Sequence, residues 1–141
     1  MQKYDLPINK ENILATYKED SISRKKHLFA FIELLLSINE DYSVALDGSW
    51  GSGKTFFIKQ LEMIVKASNA HIESEYIEEH EKILAVLPET LKNDLENASL
   101  LPIYYDAWKN DNDDDPVLSI IYNIINTLDM YNVNVKPYAY I

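Results

Sequence analysis

Apolar positions along the chain fall into runs of differing period, separated by polar and Gly- or Pro-marked stretches. From about Ile22 to Asn39 they predict a helix, capped by Asp20 or Ser21. Its second half, Leu28-Phe29-Ala30-Phe31-Ile32-Glu33-Leu34-Leu35-Leu36, is apolar on most faces and predicts extensive burial. The short run Val44-Ala45-Leu46 predicts a buried strand. Phe56, Phe57, Ile58, Leu61, Met63, Ile64 and Val65, interspersed with Lys59, Gln60, Glu62 and Lys66, predict a helix ending near Ser68-Asn69.

Residues 71–100 are more highly charged. Tyr76, Ile77, Ile83, Leu84, Val86 and Leu87 lie among Glu73, Glu75, Glu78, Glu79, Glu81 and Lys82, the pattern of an amphipathic helix. Pro88 then starts a second helix through about Asn97, so the stretch is a helical insertion. Leu101-Pro102-Ile103-Tyr104-Tyr105-Asp106-Ala107-Trp108 predicts another strand, with Pro102 near its start, where a missing N–H is tolerated. Asp115 as N-cap and Pro116 at the first helical position open an apolar helix to about Met130. Residues 1–20 and 131–141 show no periodicity that assigns an element.

Between the first strand and its helix stands Gly48-Ser49-Trp50-Gly51-Ser52-Gly53-Lys54-Thr55, a match to G-x-x-x-x-G-K-[ST] at every fixed position. Strand, Gly-rich turn and helix form the context that separates a phosphate-binding loop from a chance match. Glycines let the backbone curl so that successive N–H groups point at phosphate oxygens. The helix N-terminus adds further donors and a partial positive charge. Lys54 is the residue that reaches the β- and γ-phosphates, and the Thr55 hydroxyl suits Mg²⁺. The expected nucleotide-binding residues are thus Gly48, Ser49, Trp50, Gly51, Ser52, Gly53, Lys54 and Thr55, with Lys54 also acting catalytically. Trp50 and Trp108 are expected to pack at the end of the sheet near the loop.

Composition narrows the classes. A chain of 141 residues is one domain or part of one. It has no Cys, which excludes a disulfide framework and a thiolate metal site. A net charge of −10 argues against a broad nucleic-acid surface, and the cluster Arg24-Lys25-Lys26 suits a helix surface, with Arg24 pairing to a nearby acid. The amino terminus lacks a signal-peptide segment, and Leu28 to Ile38 is too short to span a bilayer, so a cytoplasmic protein is expected. Asp111 to Asp115 alternates like a calcium loop, but Pro116 stands where Gly is needed and Tyr122 where Glu belongs. His27 reads as a partly exposed helix residue, and the glutamates of 73–81 as a solvated face.

The phosphate loop written with Trp50 resembles that of the KAP family of P-loop NTPases. Tyr104-Tyr105-Asp106-Ala107-Trp108-Lys109, followed by Asp115-Pro116-Val117-Leu118, resembles that family's second signature, an aromatic strand ending Asn-Ala-Trp and then a helix. The helix with Arg24 and Phe29-Ala30 is similar to the family's N-terminal helix. Two positions depart from the pattern: Asp106 stands where Asn is usual, and Thr55 where Ser is commoner. Both leave the strand and the hydroxyl in place.

The resemblance implies an α/β fold of three layers around a parallel sheet, with ATP and Mg²⁺ as ligands and ATP hydrolysis as the activity. Bacterial members are often linked to exclusion of bacteriophage. It further implies a Walker B strand, four apolar residues followed by acids, and residues 1–141 contain none. Two strands also make a poor sheet. The chain is therefore expected to be the N-terminal part of a domain that extends past Ile141. Asp47 and Asp106 are the carboxylates placed to approach the metal in its stead. Two other classes stay open. One is a small-molecule P-loop kinase, disfavoured because Arg24 is the only arginine. The other is a non-enzymatic module that self-associates or meets an effector through its acidic helices. No Asn-Lys-x-Asp guanine signature occurs, which leans the base towards adenine.

Overall fold

The computed structural model describes residues 6–20, 23–49 and 53–133. Six helices follow in chain order: α1 (Lys10–Glu19), α2 (Lys25–Ser37), α3 (Lys54–Ser68), α4 (His80–Leu84), α5 (Glu89–Ala98) and α6 (Pro116–Met130). Helix α3 is the hub and packs against α1, α2, α4 and α5. Its apolar stripe explains this placement, since Phe57, Met63, Ile64, Val65 and Ala67 are all buried. Around it close Ile13 and Tyr17 of α1, Leu28 and Ile32 of α2, Ile83 and Leu84 of α4, and Leu91 and Leu95 of α5. Phe31 meets Phe57 edge to face, with ring centroids 5.9 Å apart. Polar ties join the same helices. The Tyr17 hydroxyl donates to the Ile83 carbonyl at 2.9 Å, and Gln60 Nε2 donates to Thr16 Oγ1 at 3.0 Å.

Local chemistry sets most helix ends. Asn9 caps α1 by accepting from the Asn12 N–H at 2.9 Å, and Asp20 closes it in the left-handed region at φ 46°. Asp20 then starts the next element, because its Oδ1 accepts from the Lys25 N–H at 3.1 Å at the head of α2. Pro88 precedes α5, and Ser99, at φ 49°, ends it. Asp115 caps α6 by accepting from the N–H groups of Val117 and Leu118 at 3.0 and 3.2 Å, with Pro116 at the first position.

The expected α/β architecture is not present: no strand or sheet occurs among the described residues. Residues 41–49 run without helix or ladder, leaving Val44 44 % and Leu46 39 % exposed. Residues 101–106 also form no ladder. The physical reason lies in where the hydrogen bonds come from. A helix satisfies its backbone within one segment, whereas a strand needs a partner alongside it. Side chains hold the second segment instead. Asn123 Nδ2 donates to the Tyr104 carbonyl at 2.7 Å, the Tyr105 hydroxyl donates to Ser119 Oγ at 3.1 Å, and Lys59 Nζ lies 3.5 Å from the Tyr104 ring centroid.

Two further expectations are corrected. The second half of α2 is not buried on most faces, since only Leu28 and Ile32 are buried while Leu34 is exposed. The amphipathic helix expected ahead of Pro88 shrinks to the five residues of α4, preceded by turns over 75–79. Helix α6 forms where its pattern places it but has no buried residue, and Val117, Leu118, Ile121, Ile125 and Met130 face solvent.

Candidate functional site

The candidate site lies at the head of α3. Gly53 is the N-cap residue, at φ 85° and ψ 23°, a left-handed conformation that glycine adopts without a Cβ penalty. Gly53 makes no side-chain cap hydrogen bond, and the N–H groups of a first helical turn are the ones that lack an intrahelical partner. Lys54 is the first helical residue, and its Nζ donates to the carbonyls of Gly48 and of Ser49, the latter at 3.1 Å. The Gly48 and Ser49 carbonyls therefore lie within reach of the lysine at the start of α3. Thr55 is the second helical residue and is exposed. Gly48 is oriented in turn by its own N–H, which donates to Asp47 Oδ1 at 2.8 Å. Trp50, Gly51 and Ser52 lie outside the described residues, so the expected set is placed at Gly48, Ser49, Gly53, Lys54 and Thr55.

Arg24 is also present here, and sequence reasoning missed its role. Its Nη1 donates to the Gly53 carbonyl at 2.9 Å. No local signal announces a contact between residues 29 positions apart, and only packing of α2 on α3 brings them together.

Both carboxylates considered for the metal are engaged locally. Asp47 Oδ1 serves the Gly48 N–H, while Asp106 Oδ1 accepts from the N–H groups of Trp108 and Lys109 at 3.0 and 3.3 Å. The latter is an Asx-type turn that ends the aromatic segment. Trp108 is 79 % exposed at this turn, so it does not pack at a sheet end as expected; Trp50 lies outside the described residues. No group of His, Asp and Glu suited to a metal ion occurs among the described residues, and none of their helices is long and apolar enough to cross a membrane.

A charge network lies away from the loop, at the other end of α3. Burial pulls the Lys66 ammonium towards neutrality, but Glu62 at 2.7 Å and Glu75 at 3.0 Å outweigh it and raise its pKa. Burial likewise pushes the Glu75 carboxyl up, yet its own backbone N–H and Lys66 bring it below the ordinary value. The Tyr76 phenol is pushed up to about 12, chiefly by burial and then by Glu75. Twelve residues at 1.5 Å rise separate Lys66 from Lys54 by roughly 18 Å, so this network serves the fold rather than the loop.

The loop, its lysine and the helix that follows have the chemistry to bind a polyphosphate. A model of the KAP family P-loop domain matches residues 24–132, most of the chain. This is a nucleotide-binding P-loop domain, and the chain belongs to the KAP family. No curated protein and no solved structure shows a match to it.

Proposed function

We propose that the chain binds ATP as its Mg²⁺ complex at the head of α3. Residues Gly48, Ser49, Trp50, Gly51, Ser52 and Gly53 wrap the triphosphate, Lys54 neutralises its β- and γ-oxygens, and the Thr55 hydroxyl joins the Mg²⁺ shell. The observation that carries this reading is the fold-back of Lys54 Nζ onto the Gly48 and Ser49 carbonyls. The lysine already meets backbone oxygens of the motif, and phosphate oxygens can replace the two carbonyls as stronger, charged acceptors. The first turn of α3 supplies N–H donors beside it.

Mg²⁺, held by the Thr55 hydroxyl, would supply positive charge beside the phosphates. Hydrolysis also needs a group that orients the attacking water, and Asp47 and Asp106 each accept from neighbouring backbone N–H groups. The activity proposed for residues 1–141 is therefore binding, with negligible turnover. Titration of the full chain with a fluorescent ATP analogue tests this. Wild type should bind in the presence of Mg²⁺, and Lys54→Ala should bind about tenfold or more weakly, the scale of one charged hydrogen bond. Equal affinity of the two proteins would remove the assignment.

A further inference from the structure

Arg24 occupies the N-cap position of α2 and reaches across to the last glycine of the phosphate loop. The Gly53 carbonyl it contacts at 2.9 Å also accepts the first helical bond of α3, from the Phe57 N–H at 3.1 Å. A Cβ on Gly53 would come within 2.5 Å of Arg24 Nη1 and 3.1 Å of Nη2. The guanidinium thus fills the space that a residue without a side chain leaves open.

Carbonyl and N–H of one planar peptide unit point in opposite directions. The Gly53 carbonyl points along α3 towards Phe57, so the Lys54 N–H of the same unit projects from the helix start, where a phosphate would sit. Glycine at φ 85° gives this peptide unusual freedom to rotate. Resting on the ATP reading above, we propose that Arg24 is a positioning residue of the phosphate site. By holding the Gly53 carbonyl it fixes the Gly53–Lys54 peptide so that the Lys54 N–H faces the bound phosphates.

A residue that only tied α2 to α3 would affect melting and leave the preference among nucleotides unchanged. A positioning residue acts on the phosphates beyond the first. The test measures affinities for ATP, ADP and AMP, and unliganded melting temperatures, on the full chain with wild type, Arg24→Ala, Arg24→Lys and Lys54→Ala. Arg24→Ala should weaken ATP and ADP by about tenfold, shrink the ATP-over-AMP preference, and change melting little. Arg24→Lys, with a charge but no fork, should fall between it and wild type. Wild-type affinity in Arg24→Ala overturns the proposal, as does an unchanged ATP-over-AMP preference. Should Arg24→Ala fail to fold, Arg24→Lys decides: weaker ATP binding at unchanged melting supports the role, and wild-type binding overturns it. Equal ATP binding by wild type and Lys54→Ala would instead mark failure of the underlying ATP reading.

Discussion

Replacing Lys66 by Met removes the ammonium at the centre of the charge network on α3 while keeping most of the apolar stem. The side chain is 9 % exposed and bridges Glu62, 13 % exposed, and Glu75, 46 % exposed. Deleting one partner of a fully buried pair costs about 3–5 kcal/mol, mostly because the other charge is stranded. Two features of this site reduce that figure. Glu62 keeps Lys59 Nζ at 3.0 Å, so it is not stranded, and Glu75 is half in water, where pairs contribute only about 0–1 kcal/mol. The expected loss for Lys66→Met is therefore about 2 kcal/mol, and Glu75→Gln should lose about 0.5 kcal/mol. Urea unfolding followed by far-ultraviolet circular dichroism measures both, provided the slope with denaturant is unchanged. A Lys66→Met protein as stable as wild type, or more stable, would refute the reasoning. Desolvation of the lysine would then offset its two ion pairs.

Stability should also fall on both sides of neutral pH. The Glu75 carboxyl is held below its ordinary value of 4.5, so its contribution is present above that pH and is lost as pH falls through the lowered value. Lys66 and Tyr76 have raised pKa values, so their contributions are intact below the ordinary values of 10.5 and 10.0 and are lost as pH rises, for Tyr76 through about 12. Urea midpoints that keep rising from pH 9 to 11 would contradict this. Asp115→Ala removes the acceptor for the Val117 and Leu118 N–H groups and should cost α6 about 1 kcal/mol. Because α6 buries nothing in the core, amide exchange across 117–130 should accelerate while the global unfolding midpoint stays put; a matching global loss would show that α6 is part of the core.

Helices were legible in the sequence to the extent that their signals are local. Asp115-Pro116 marks the start of α6, Pro88 the start of α5, and the apolar rhythm from Phe56 the length of α3. Helix α1 escaped because its capping residue, Asn9, lies in a polar stretch and its buried stripe is only Ile13 and Tyr17. The two strand assignments failed for a different reason. Val44-Ala45-Leu46 and the segment ending at Trp108 have strand-like composition, but a ladder is a property of two segments, and none forms among the described residues. At the site, spacing alone singled out Gly53, Lys54 and Thr55, because the motif is contiguous. Arg24 was not legible as part of it, since its contact depends on how α2 docks on α3.

The central claim is that a triphosphate binds where α3 begins. Backbone amide chemical shifts of the isotope-labelled full chain, recorded while ATP and Mg²⁺ are added, test it most directly. The largest shifts should fall on the N–H groups of Gly53, Lys54 and Thr55, fade along α3, and vanish in Lys54→Ala. Shifts centred instead on the pocket at the other end of α3, around Ser68, His71 and Ser99, would contradict the account. So would shifts that persist unchanged in the Lys54→Ala protein.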